Sequence, residues 1–404
     1  MRAIALVLMA GLVCAGVWAA PQPLPRVSVR GGKFVRGPER RAFMPLGFQY
    51  IRIRPEGPHY VFAPSYYDPA AVEAMFSDLE AHGFNTVRIF VGGLELIDQG
   101  RLNPRFMDNV CDFLKRATAH HIYVLIVPDW VPGADAYLKL KQAGSAEVQN
   151  TGQAWLDGAW LEAKAAYLRD FVGAIKSRDA SLLNTVFAYE FENEACVFMD
   201  QPPFKGRGKF SFGGATYDLA AEKDIQALMD AGITQAAKRL TAAVHEVDPA
   251  AMTSYSVFTL RAVGRTGVER MLTDVTGDSR VPVRPLALAK TDVSYVDVHM
   301  YGPAPDALAA DLKTSEWEAV KAECARRGKP ILCGEYGTFP AVHPTEQAAA
   351  GAIAWYLPKI LEAGFAGAIY WTYDCAEQKD VWNAKAGSGL IFQTLADYVR
   401  HLRK

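Results

Sequence analysis

Eight short runs along the chain are apolar and rich in β-branched or aromatic residues, and amphipathic stretches separate most of them. The runs are Phe43–Tyr50, Thr86–Val91, Tyr123–Trp130, Val186–Glu194, Ala251–Val257, Val293–Tyr301, Pro330–Gly337 and Ala366–Tyr373. Short apolar runs bounded by turn formers read as buried strands. The stretches between them change period. Asp68–His82 carries Val72, Met75, Phe76 and Leu79 at helical spacing, and Gly83 follows as a stop signal. Asn103–His121, Trp155–Arg178, Ala220–Val247, Ser315–Arg327 and Thr345–Ala363 behave alike, and Leu395–Leu402 closes the chain as a last helix.

Strand and helix alternating eight times is the pattern of a (β/α)8 TIM barrel of the α/β class, here with elaborated loops after the strands. An open doubly wound sheet is the competing arrangement. It would usually carry a Gly-rich fingerprint after the first strand, and none is present. One stretch resists assignment. Between Thr259 and Thr291, Gly264, Gly267, Gly277, Pro282 and Pro285 break any long period, so a short helix and irregular loop are expected. Val131–Gln153, Ala195–Tyr217 and Asp374–Phe392 follow strands three, four and eight. In a barrel all three rise on the face where sites form, so they are expected to wall a cleft.

The first twenty residues add an export signal: Arg2, an apolar run from Ala3 to Trp18, and small Ala19 and Ala20 before Pro21. An uncleaved anchor is the alternative. Residues 21–404 then form one barrel domain, secreted or periplasmic and free of the membrane once the signal is removed. Charge is almost balanced at −1, which argues against nucleic acid as a partner. The compact basic run Lys205, Arg207 and Lys209 reads as a solvated loop, and a monomer is expected. Five cysteines remain after the signal (Cys111, Cys196, Cys324, Cys333 and Cys375), enough for two disulfides at most and equally suited to single buried thiols, with Cys196 and Cys375 as one conceivable pair. The eight histidines show no metal-ligand spacing and no phosphate loop is present, so no metal and no cofactor is implied.

Chemistry-capable residues gather at strand ends. Strand four ends Phe191-Glu192-Asn193-Glu194 and strand seven ends Cys333-Gly334-Glu335-Tyr336-Gly337. Two carboxyl groups so placed suit cleavage of a glycosidic bond, one protonating the leaving oxygen and the other attacking the anomeric carbon or activating water. Strand two contributes Arg88, strand six His299-Met300-Tyr301, and strand eight Trp371. Arg88, His299 or Trp371 alone would fit a core position; their occurrence with Glu194 and Glu335, on five strands in all, points to a site. Alternation puts Glu190 and Glu192 on the same side as Glu194. One of them is expected to pair with Arg88 or a lysine, and Glu192 is the alternative acid.

On these strand-end motifs the chain resembles glycoside hydrolase family 5, within the larger clan of retaining barrel glycosidases. The resemblance implies Glu194 as acid/base and Glu335 as nucleophile, with Arg88, Asn193, His299, Tyr301 and Trp371 as the surrounding shell. Arg88 would favour the ionised form of Glu335 and Tyr301 would orient it. The charge on Glu335 would keep Glu194 protonated until the glycosyl-enzyme forms. Asn193 would bond the sugar 2-hydroxyl, His299 would position Glu194 or a hydroxyl, and Trp371 would floor the sugar. The expected activity is retaining hydrolysis of a β-1,4-linked polysaccharide or oligosaccharide, mannan ahead of glucan. The alternatives are a non-catalytic carbohydrate-binding barrel, or an exo-acting β-mannosidase or β-galactosidase. Two departures stand out. Family members often carry His after strand three, where this chain has Val127-Pro128-Asp129-Trp130-Val131, so Asp129 or Trp130 is expected to contact sugar instead. The usual Pro after Asn-Glu is Ala195. Trp130, Trp155, Trp160, Phe198, Tyr373 and Trp382 are candidate sugar platforms, Trp130 and Trp382 foremost.

Overall fold

The computed structural model describes residues 22–54, 57–274, 277–301 and 307–403. The export signal assigned to residues 1–20 lies outside the described residues. Among those described, no helix is long and apolar enough to cross a membrane.

All eight expected strands form, as one parallel sheet closed on itself. They are Leu46–Gln49, Thr86–Phe90, Tyr123–Val127, Val186–Glu190, strand five in two pieces, Val296–His299, Ile331–Tyr336 and Ala368–Tyr370. Closure depends on strand five. Its first piece, Thr253–Ser254, pairs with strand four, and its second, Ser256–Phe258, pairs with strand six. The pleat sorts side chains by period two. In strand three Val124 and Ile126 face the helices, whereas Tyr123, Leu125 and Val127 face the barrel interior. Gly47 in strand one is required by close approach, because a Cβ there would lie 1.6 Å from the Thr86 carbonyl oxygen of strand two.

Helices Pro69–Ala81, Pro104–Ala119, Gly158–Arg178, Glu222–His245, Ser315–Arg327, Glu346–Glu362 and Leu390–Leu402 cover the sheet. Their ends follow local chemistry. Asp68, Asn103, Asp157, Thr314 and Thr345 each accept a first-turn amide, and Gly328 ends its helix at φ +65°.

A feature absent from the sequence reading closes the barrel's lower end. Val27–Arg30, Lys33–Arg36 and Arg41–Ala42 form an antiparallel sheet. It inserts Leu24, Val27, Phe34 and Phe43 among Tyr123, Phe187, Tyr295 and Leu332. Phe34 meets Phe187 edge-on at 5.0 Å and Tyr295 at 5.5 Å. Burying each such aromatic stabilises the fold by roughly 1.5–3 kcal/mol. Arg26 ties the plug to the barrel with two 2.7 Å bonds to Asp248. Chemistry is therefore left to the opposite, carboxyl end.

Of the two arrangements left open for the cysteines, single buried thiols are the one found. All five described cysteines are free and buried. Cys375 packs inside the barrel and Cys196 against Phe258 and Val263, so the conceivable pair belongs to separate clusters.

Candidate active site

Arg88 organises the carboxyl end of the barrel. Its side chain is fully buried in strand two, and its guanidinium reaches three other strands or their ends. It donates to Glu335 at 2.6 Å, to Gln49 at 3.0 Å, to Asn193 at 2.8 Å, and to Glu190. Gln49 in turn donates to the Gly334 carbonyl at 2.7 Å. Glu190 is thus the partner that alternation along strand four suggested.

Glu335 is 4% exposed and receives the Tyr301 hydroxyl at 3.1 Å on its second oxygen. Burial pushes its carboxyl up, against the charges of His299 and Arg88, while Glu194 and Glu190 add to the rise. The short bond from Arg88 and the phenol donor favour the carboxylate form of Glu335 against that rise.

Glu194 sits just beyond strand four at φ +54°, in the left-handed region. Two side-chain acceptors hold the turn. Ser256 accepts the Glu194 amide at 2.8 Å and Asp129 accepts the Asn193 amide at 2.8 Å. The Glu194 carboxyl meets His299 Nδ1 at 3.1 Å and Arg280 at 3.4 Å. Burial raises it, but the His299 hydrogen bond and the charges of His299, Arg280 and Arg88 outweigh burial and hold it below the usual carboxylate range. His299 Nδ1 also lies 3.5 Å from Glu335, so one imidazole faces both carboxylates. One carboxylate oxygen of each glutamate lies within 4.8 Å of the other. These three side chains gather closely enough to hold a cation, yet both carboxylates already have cationic partners in Arg88 and Arg280. That donor set suits acid–base and nucleophilic chemistry.

Below this layer a second carboxylate pair shares the barrel. Asp297 accepts the Gly334 amide at 2.7 Å. Its carboxyl is pushed well up by burial and by the charge of Glu190. One oxygen of each is buried without a partner, and a proton on Asp297 satisfies both. Glu192 takes a different environment, with Lys164 and Asp129. Burial pushes Glu192 up to about 8 and Lys164 down to about 8. Lys164 donates to the Pro128 and Asp129 carbonyls, fixing the end of strand three.

The expected residues do not all converge. Glu194, Glu335, Arg88, Asn193, His299 and Tyr301 form one bonded network. Trp371 stands at its side, edge-on to Phe90 at 6.0 Å with its indole N–H bonded to Gln378 at 2.7 Å. Asp129 is engaged with the Asn193 amide, and its neighbour Trp130 stands free at 56% exposure. Trp382 is half-buried, donating to the His343 carbonyl at 2.8 Å in the wall between the loops after strands seven and eight. Trp155, Trp160 and Tyr373 are buried packing residues, so they offer no face to sugar. Phe198 packs with Phe258 in a small cluster of its own.

Sequence reasoning missed Gln49, Ser256, Asp297, Arg280 and His59. His59 follows strand one at φ +63° and stacks on Phe90 at 4.1 Å, with Arg88 on the same ring at 4.8 Å. Burial and the Arg88 charge push it down to about 4, which favours the neutral imidazole. It lies in a loop with no periodic signal.

No family model and no curated protein matches the chain. Solved structures do. The endo-1,4-β-mannanase from Rhizomucor miehei aligns at a TM-score of 0.60 and 15% identity, over 93% of this chain and 99% of that one. The exo-β-1,4-mannosidase Op5Man5 from Opitutaceae bacterium strain TAV5 aligns at 0.58 and 18%, over 93% and 62%. GH5_18 from Streptomyces cattleya, in complex with GlcNAc, aligns at 0.54 and 15%, over 90% and 82%. The likeness is one of fold: the chain has the (β/α)8 barrel of glycoside hydrolase family 5 mannanases.

Proposed function

We propose that the protein is a retaining β-glycoside hydrolase acting on β-1,4-linked mannan or glucan chains, mannan preferred. One observation carries the reading: carboxylates at the ends of strands four and seven approach within 4.8 Å across a shared histidine. Carboxyl groups about 5–5.5 Å apart leave no room for a water between nucleophile and sugar, whereas inverting pairs stand about 6.5–9.5 Å apart.

In the free protein His299, Arg280 and Arg88 favour the Glu194 carboxylate, against the expectation that the Glu335 charge keeps it protonated, so Glu194 takes up its proton as substrate binds. In the first step a Glu335 oxygen then attacks the anomeric carbon while the leaving oxygen takes that proton. The sugar is then esterified to Glu335, and Arg88 keeps only Glu190 as a charged partner. In the second step Glu194 removes a proton from water, whose oxygen attacks the same carbon and releases Glu335. Two inversions return the β configuration. Asn193 has its carbonyl oxygen on Arg88, which leaves its amide N–H2 to donate to the 2-hydroxyl. The solved mannanases and mannosidase of this fold support the mannan preference. Export through an N-terminal signal belongs to the same proposal.

A polysaccharide panel with product sizes resolved tests substrate and endo- or exo-action together. Proton NMR of the first product should show the β-anomer, and an α-product would exclude retention. Trp130 gives a separate test of the sugar platform. Trp130→Ala should leave thermal stability nearly unchanged, within about 0.5 kcal/mol, because the ring is exposed. Its KM on mannohexaose should rise by roughly 5–10-fold if the ring carries a sugar, as loss of a stacking face costs about 1–1.5 kcal/mol. An unchanged KM would remove Trp130 from the site.

A further inference from the structure

The described residues of the segment that sequence periodicity could not assign, Thr259–Thr291, gather around buried Arg265. Its guanidinium donates to the carbonyls of Arg280 at 3.0 Å, Met271 at 2.5 Å and Asp278 at 2.9 Å. Arg280–Pro282 then pairs antiparallel with Cys196–Phe198, the residues directly after Glu194. Backbone bonds extend the ladder at both ends, from Met199 to Ser279 at 2.9 Å and from Val283 to Ala195 at 2.9 Å. The expected short helix forms at Pro285–Lys290, and ahead of it the irregular loop makes a strap that delivers one side chain to the acid/base.

Arg280 is held from behind by Asp278 at 2.7 Å and lies over the Phe258 ring at 5.0 Å. Its remaining amino group points at the Glu194 oxygen that His299 does not touch, at 3.4 Å. That spacing is long beside the ~2.7–2.9 Å of a full charge-assisted bond. Arg280 leans on Glu194 while being anchored elsewhere. We propose that Arg280 is a positioning residue for Glu194, fixing the carboxylate for its base step and yielding the same oxygen to the leaving group in the acid step. The inference rests on Glu194 being the acid/base.

Other charged and titratable groups face Glu194: His299 from strand six, Tyr301 just beyond it, Glu335 from strand seven, Arg88 from strand two and Cys196 on its own segment. Among the described hydrogen bonds and ion pairs, Arg280 reaches Glu194 and not Glu335, His299 or Arg88. A positive charge beside the acid favours loss of its proton. Removing that charge should therefore move the alkaline limb of kcat/KM upward, and strengthening it should move the limb downward.

The experiment compares wild type, Arg280→Met, Arg280→Lys and Asp278→Asn on mannohexaose and on an aryl β-mannoside. Arg280→Met should raise the alkaline limb by roughly 0.5–1 pH unit and lower kcat on the aryl substrate, whose departure needs no proton and whose second step needs the base. Arg280→Lys should restore the limb. Asp278→Asn, which frees Arg280 to close on Glu194, should shift it down. Coincident limbs in Arg280→Met and wild type would overturn the proposal, as would equal shifts in the methionine and lysine variants. Direct titration of Glu194 by carbon-13 glutamate NMR, assigned with Glu194→Gln, reads the same shift without turnover. If wild type cleaves neither substrate but the NMR shift is present, the glycosidase reading fails and the Arg280–Glu194 coupling stands.

Discussion

Glu335→Gln should fold, bind substrate and turn over at least roughly 10⁴-fold more slowly than wild type, the scale expected when a covalent nucleophile is removed. Glutamine keeps the size and one acceptor oxygen, so Tyr301 retains a partner and Arg88 retains Glu190, Gln49 and Asn193. A large unfolding penalty is not expected, and thermal melts should separate the two effects. The more telling comparison is with Glu335→Ala in azide. The cavity left by the side chain admits the small anion to the face that Glu335 occupied, and a single inversion then yields the α-glycosyl azide. Glu194→Ala in azide should give the β-glycosyl azide, because the nucleophile remains and azide enters in the second step. If the two variants return products of the same configuration, the roles assigned to the two glutamates are wrong.

The barrel was legible because its signal is repeated and local. Each strand is a short apolar run, each helix carries its own stripe and most carry a cap, as Asp68 and Val72, Met75, Phe76 and Leu79 show for one of them. The six converging site residues were legible for a related reason: a barrel brings strand ends together, so residue type and strand number suffice to place them. What escaped was irregular. The lower plug, Val27–Ala42, is made of strands too short for period two to register against the turns between them. Arg280 lies 86 residues from Glu194, in a stretch whose glycines and prolines erase any period. Aromatic platforms failed differently. Trp155 and Trp160 stand beside the long loop after strand three in sequence, yet in space they are buried in the core, where Gly232 makes room for Trp155. Composition cannot tell a loop tryptophan that points out from one that points in.

Arg88→Met should be the most destabilising single change in the site. Methionine fills much of the space, but it removes the only guanidinium between two buried carboxylates, Glu190 at 0% and Glu335 at 5% side-chain exposure. Breaking a buried pair by deleting one partner costs about 3–5 kcal/mol, because the charge left behind has lost its solvent and its counterion. The pH dependence identifies the cause. Carboxyls stranded without a cation in the folded state have raised pKa values there, so they bind protons that the unfolded chain releases. A raised folded-state carboxyl pKa makes stability fall as pH rises past the ordinary carboxylate value. The gap between Arg88→Met and wild type should therefore widen from about pH 4 to pH 7, measured by denaturant unfolding at each pH. A gap that stays constant would mean lost packing, and Arg88 would then be a space-filling residue. Arg88→Lys discriminates further. It restores one charge but not the four-way fork to Glu190, Glu335, Gln49 and Asn193, so it should recover most of the stability and little of the turnover. That split would locate the contribution of Arg88 to catalysis in the orientation of Glu335 and Asn193, beyond the charge it supplies.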